Sequence, residues 1–139
     1  MVPRPAAAYR RWPRWLLVGA AVVVALVLTR SWPRDQTVHY VLGDAAARVT
    51  DMDVRWAEEA AQAAKGDWTR QVTYHYAKGG APRIVTHDLR LPDGGYTVEI
   101  EILSVEGDSP SDAARRVIRR RLTLSGGATS IELAGALSR

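Results

Sequence analysis

The sequence predicts a mainly β protein: an N-terminal transmembrane helix followed by a seven-stranded antiparallel β-sandwich with one or two short helical insertions. Three observations predict it. Residues 15–28 form an unbroken run of apolar or small side chains. From Thr37 onward apolar residues recur at every second position, the period of a strand with one buried face. Turn-forming Gly, Pro and Asp clusters separate these alternating stretches at short intervals, the spacing of an all-β domain.

The helix comes first. Trp15 to Leu28 is fourteen residues, about 21 Å of helix at roughly 1.5 Å per residue, short of a hydrocarbon core of about 30 Å. The flanks lengthen it: Trp12, Trp15 and Trp32 suit headgroup level, and Arg14 and Arg30 can snorkel outward. Residues 12–32 are therefore expected to span the bilayer, with 1–11 a basic cytoplasmic tail, 33–36 a short tether and 37–139 the folded domain. A cleaved export signal needs small residues just before the cut, and Leu26-Val27-Leu28-Thr29-Arg30 offers none, so the segment reads as a retained signal-anchor. The Arg10-Arg11 pair fits twin-arginine export poorly, with Pro13 and Arg14 behind it. Four arginines precede the run and two follow it. That bias keeps the N-terminus inside and places the domain in the periplasm or outside the cell, on a bacterial inner membrane. The near-exclusive use of arginine over lysine, with abundant alanine, fits a GC-rich bacterial genome.

The strands follow in order. TVHYVL sets Val38, Tyr40 and Leu42 on one face, and MDVRWA sets Met52, Val54 and Trp56. QVTYHY aligns Val72, Tyr74 and Tyr76; RIVTHDLRL aligns Val85, Leu89 and Leu91 with His87 among them. YTVEIEIL turns Tyr96, Val98, Ile100 and Ile102 inward and Thr97, Glu99 and Glu101 outward. RVIRRRLTL and TSIELA close the domain with Ile118, Leu122, Leu124, Ile131 and Leu133. Lys78-Gly79-Gly80, Pro92-Asp93-Gly94-Gly95 and Ser125-Gly126-Gly127 read as the hairpin turns. Ala57 to Lys65, rich in helix formers and followed by Gly66, reads as one helical insertion. Ser109 to Arg116 reads as a second helical turn.

LRLPDGGYTVEIEI, then RRLTLSGG and SIELAG, resembles the closing part of transthyretin-like modules, such as carboxypeptidase regulatory-like and PEGA-type domains; an immunoglobulin-like sandwich shares the same architecture. On that resemblance Leu91, Pro92, Gly95 and Tyr96 form the turn and strand start, and Leu122, Leu124, Ile131 and Leu133 close the sheet. It covers about the last third of the chain. AEEAAQAAKGDW departs from the family pattern as an extra insertion, and the glycine-rich opening strand is missing. The resemblance implies a non-catalytic accessory module.

Charge narrows the partners. The chain carries 19 basic and 15 acidic residues, but Arg4, Arg10, Arg11, Arg14, Arg30 and Arg34 all precede residue 35, where no acid occurs, so the remainder has a formal charge of −2. Duplex nucleic acid loses its electrostatic argument. With no cysteine, disulfides, thiolate metal sites and thiol nucleophiles are excluded. The expected partners are the lipid bilayer and another envelope protein, and no cofactor is expected.

Candidate chemistry is thin. His39 and His75 would share a metal, zinc or copper, with Asp88 or His87 only if their strands were adjacent. Thr86-His87-Asp88 puts neighbouring side chains on opposite faces, so His87 and Asp88 cannot cooperate in hydrolysis. Glu99 and Glu101 read as solvated outer positions. The densest charge outside the anchor is Arg115, Arg116, Arg119, Arg120 and Arg121. Two readings fit it: contact with anionic headgroups or an acidic partner, with Arg115, Arg116, Arg119 and Arg121 as the contact residues, or protection of a border strand from association. Trp68, in a turn beside Gly66 and Asp67, is the expected exposed ring, and it raises the alternative of carbohydrate or envelope-polymer binding. The expected function is that of a membrane-anchored accessory or interaction protein and not an enzyme, with a metal-dependent enzyme as the last alternative.

Overall fold

The structure is a computed structural model that describes residues 14–107 and 112–138. It divides into two compact units, Met1–Trp32 and Pro33–Arg139. The described part of the first is one helix, α1, Arg14–Arg30. Its side chains from Trp15 to Arg30 are exposed on every face.

This helix corrects the expected membrane span. Its 17 residues give about 25 Å at roughly 1.5 Å per residue, less than a hydrocarbon core of about 30 Å. Among the described residues no helix is long and apolar enough to cross a membrane. At the C-terminal flank the helix stops at Arg30, short of Trp32. The Thr29 hydroxyl bonds back to the carbonyls of Ala25 and Leu26 at 2.9 and 3.0 Å. Ser31 and Trp32, counted toward the span on composition, lie beyond the helix in a turn and a bend. Of the expected anchor residues, Arg14 opens α1, Trp15 and Arg30 lie on it, Trp32 lies outside it, and Trp12 is outside the described residues.

The second unit is mainly β. Its strands are β1 Arg34–Val41, β2 Val49–Ala57, β3 Arg70–His75, β4 Ile84–Leu91, β5 Gly94–Val105, β6 Ala113–Leu124 and β7 Ala128–Glu132. They form a three-stranded sheet ordered β4-β1-β7 and a four-stranded sheet ordered β3-β2-β5-β6. The inward residues of both sheets meet in one apolar core that holds Val38, Tyr40, Met52, Val54, Trp56, Leu89, Val98, Ile100, Ile102 and Ile131, an arrangement consistent with a β-sandwich. Alternation made these strands: each presents an apolar side to the core and a polar side outward.

One pairing departs from the expected antiparallel arrangement. β1 pairs with β4 antiparallel but with β7 parallel, Val38 opposite Thr129 and Tyr40 opposite Ile131. A parallel pair needs a long crossover, and here all the strands between β1 and β7 supply it.

The connections also differ from the turn assignment. The paired consecutive strands are β2–β3 and β5–β6, so the true hairpins carry the two segments that interrupt the alternation. In the first, α2, Ala60–Lys65, ends on Gly66 in the left-handed region at φ 79°, where a glycine avoids the steric penalty of a Cβ. In the second, the helical turn expected over Ser109 to Arg116 is cut back at its C-terminal end: Ala113–Arg116 belong to β6, in register with Ile102–Val105, Asp112 just before them is 3-10 helical, and residues 109–111 lie outside the described residues. The three glycine-bearing turns all join strands of different sheets. A connection between sheets needs a sharp change of direction as much as a hairpin does, so its residue chemistry is the same.

A short 3-10 helix, Gly43–Arg48, takes the chain from β1 to β2, and a further short helix, α3, Ala134–Leu137, buries Leu137. At the β4–β5 crossing, the Tyr96 hydroxyl donates to the Pro92 carbonyl at 2.8 Å. This back-bond ties the corner to the strand it feeds, as tyrosine corners do in other two-sheet folds.

Candidate functional site

The outer face of the four-stranded sheet carries most of the domain's ionic chemistry, and strand register places it there. In β5, Thr97, Glu99 and Glu101 alternate with the core residues; Glu99 stands opposite Arg55 on β2 and Arg119 on β6, and Glu101 opposite Asp53 and Val117. Arg55 is the hub. Its guanidinium lies 2.6 Å from Asp53, 3.5 Å from Glu99 and 3.8 Å from Glu101. Asp53 also accepts from Gln71 at 3.0 Å and from the Thr73 hydroxyl at 2.9 Å. At the end of the same face His75 Nδ1 and Asp51 lie 2.5 Å apart, and this bond holds the Asp51 carboxyl below the usual carboxylate range.

Contrary to the outward, solvated positions expected, Thr97 and Glu99 are buried, 5% and 8% exposed. They do point away from the core. The cover comes from long neighbours, because arginine stems on β2 and β6 lie across the face and shield what stands between them.

β6 closes this sheet, with β5 as its one neighbour. Its twelve residues contain five arginines and no acid. Three arginines are engaged. Arg115 bonds Glu101 at 2.6 Å, an interaction that raises its already high pKa. Arg119 bonds Glu99 through Nε at 3.1 Å and through a second nitrogen. Arg116 donates to the Ala136 carbonyl of α3.

Arg120 and Arg121 are different. Neither has a hydrogen bond or ion pair among the described residues, and both are exposed. They are consecutive, so they flank the strand on opposite faces. Arg121 shares the outer face with Arg119. Arg120 stands on the core-facing side opposite Val98, between the half-buried Ile118 and Leu122. Val117, opposite Glu101 on the outer face, is an apolar side chain left 56% exposed.

Four of the five candidate contact residues thus lie on this strand, two of them turned into internal pairs on the outer face and one onto α3. Trp68, the fifth, is elsewhere. It is half-buried where an exposed ring is expected, and lines a shallow cavity of about 430 Å³ with Gln62, Gly66, Asp67 and Thr69. The ring is partly covered because Thr69 hydrogen-bonds the Trp56 carbonyl at 2.7 Å, which draws the loop down onto the sheet.

Sequence reasoning placed Arg120 in the cluster without selecting it as a contact residue, and it missed Arg55 altogether. The signal for Arg120 was present: a charge at an apolar-register position marks a stretch of strand that nothing covers.

The histidines do not converge. His39 lies on β1 and His75 on β3, in different sheets. His39 meets the Thr86 hydroxyl at 3.2 Å. His87 lies among aromatic rings, 3.5 Å from the Tyr40 hydroxyl and edge-on to Tyr74. Burial lowers its pKa and pushes the Tyr40 hydroxyl well above its ordinary value. Asp88, its neighbour, faces out and accepts from Thr37 at 2.8 Å. Among the described residues no group of three or more His, Cys, Asp or Glu side chains could hold a metal ion.

A scan against protein-family models, a search of curated proteins and a search of solved structures each gave no match.

Proposed function

We propose that this chain is an accessory interaction protein, a two-sheet β domain that works by protein contact through the β6 margin. The observation that carries the reading is the division of labour among its arginines. Arg115, Arg116 and Arg119 are engaged within the domain, whereas the adjacent Arg120 and Arg121 flank the open margin with no hydrogen bond or ion pair among the described residues. Unpaired arginine on the same edge strand as an exposed apolar residue, here Val117, has the composition of a contact surface, where arginine is enriched. The apolar helix α1, with every described side chain from Trp15 onward exposed, supports the same reading, because contiguous apolar surface of that extent marks a surface covered by something else.

Affinity purification of the full chain beside the R120E/R121E double variant tests it. A protein recovered with the parent and reduced at least ten-fold with the variant is expected. Identical sets of proteins in the two purifications reject the reading.

The Trp68 cavity favours a second reading, attachment to a carbohydrate or envelope polymer, because Trp68 offers a ring face and Gln62, Asp67 and Thr69 offer polar groups beside it. Sedimentation with insoluble peptidoglycan that is lost in W68A supports it; equal sedimentation of the two proteins rejects it.

A further inference from the structure

We propose that β6 is a docking strand: an extended acidic segment of a partner protein adds along its free edge and widens the four-stranded sheet to five. The inference rests on the interaction reading above and names the kind of partner and its mode of binding.

Backbone geometry comes first. All twelve residues of β6 pair with β5, from Ala113 opposite Val105 to Leu124 opposite Gly94, without a shift in register. In such a ladder every second residue turns its N–H and C=O away from the neighbour. The edge therefore presents a regular row of donors and acceptors about 40 Å long, at roughly 3.4 Å per residue.

Exposed edges of this kind invite pairing, and folded proteins blunt them with short strands, prolines, bulges or charge. β6 is long, contains no proline and carries no bulge along β5. Charge is the one device it uses, and all of that charge has one sign. A barrier of one sign is selective. Two copies of β6 laid edge to edge would set arginine against arginine, which opposes self-pairing, and a basic or neutral strand gains nothing from the row. An acidic strand gains an ion pair at each free guanidinium.

Arg120 and Arg121 refine the match. Because they sit on opposite faces of the strand, the incoming segment needs two adjacent carboxylates, one for each face. Arg115 and Arg119 already serve Glu101 and Glu99; they hold the outer face rigid beside the edge. Val117 gives the incoming strand an apolar contact between these charges. Backbone pairing would supply affinity and the two arginines specificity, the division found in strand-addition complexes.

The test uses the full chain and a synthetic twelve-residue peptide of Glu, Thr and Val with two adjacent glutamates at its centre. Two further versions are N-methylated at alternate residues, one at odd and one at even positions. Fluorescence anisotropy at low salt should show binding of the parent peptide, at least ten-fold weaker binding to R120E/R121E, and no binding of a version with lysine in place of glutamate. Circular dichroism and the thermal midpoint establish that the variant is folded. One N-methylated version should lose binding at least ten-fold while the other stays within about two-fold, because one set of amides faces β6 and the other faces away.

Equal binding of both N-methylated versions overturns strand addition and leaves the interaction reading standing. No binding of the acidic peptide, with a cellular partner still lost from the R120E/R121E purification, overturns the acidic strand alone. Capture of the chain on phosphatidylglycerol vesicles through these same arginines, without peptide binding, assigns the row to lipid and overturns it too. Failure of both the peptide and the purification rejects both readings.

Discussion

The Tyr96 hydroxyl reaches back four residues to the Pro92 carbonyl at 2.8 Å, and Tyr96 itself packs edge-on against Trp56 with ring centroids 6.3 Å apart. One side chain thereby fastens the β4–β5 crossing to the core. Tyr96→Phe keeps the ring and removes only the bond, so it should cost about 0.5–1.5 kcal/mol. Urea unfolding at neutral pH should show a lower midpoint with an unchanged slope; no change in midpoint would mean that the corner holds without the bond.

Gln36, 1% exposed, joins two distant turns: its Nε2 donates to Asp93 at 3.0 Å and its Oε1 accepts from the Gly126 N–H at 3.0 Å. Gln36→Leu fills similar volume but strands the Gly126 amide and one bond of Asp93. A loss of about 1–3 kcal/mol is expected. Gln36→Glu keeps the acceptor but sets a carboxylate against Asp93, and should be at least as damaging above pH 6. Thermal midpoints of the two variants check both statements.

Glu99 and Glu101 occupy the same face, yet their replacements should differ. Glu99 is 8% exposed and lies between Arg55 and Arg119, so Glu99→Ala leaves two guanidiniums facing each other across a shielded gap and should cost about 1–3 kcal/mol. Glu101, which is more open, bonds the exposed Arg115, and Glu101→Ala should stay within about 1 kcal/mol. Chemical denaturation of the pair decides the order; a larger loss for Glu101 would contradict the burial argument.

His87 makes stability depend on pH in one direction. Burial lowers its folded pKa below 6.5, against the pull of Asp88 and with the help of Arg70. The unfolded chain therefore binds its proton first as pH falls. Stability is complete above about 6.5 and declines between that pH and the folded pKa. His87→Gln should flatten this part of the profile of thermal midpoint against pH. A parallel profile in the variant would place the titration elsewhere. The lowered Asp51 carboxyl acts in a separate window, with stability present above its unfolded pKa and lost as pH falls toward its folded value.

Strand faces were legible in the sequence wherever burial is one-sided. Val38 and Tyr40, Met52, Val54 and Trp56, and Tyr96, Val98, Ile100 and Ile102 recur at every second position, and all are buried. The turns were legible as turns but not as connections, because Pro92-Asp93-Gly94 and Ser125-Gly126-Gly127 have the chemistry of any tight reversal. Which strand lies next in space depends on contacts between distant segments. Glu99 shows the same limit from the other side: its outward position follows from alternation, while its burial depends on Arg55 and Arg119 reaching across from two other strands. The helix was misjudged in length because composition counted Trp32 as part of it, whereas the backbone leaves the helix after Arg30. The margin arginines were legible as a cluster; which of them are spent internally required the register of β5 against β6.

The pairing of β1 with β7 sets the order in which this domain can be born. One edge of β1 and the Oε1 acceptor of Gln36 find their native partners only in β7 and in Gly126, the latter 90 residues further along the chain. Closure of the three-stranded sheet therefore waits on contacts between segments far apart in sequence, the kind of pairing that folds slowly and leaves a strand edge open to wrong partners in the meantime.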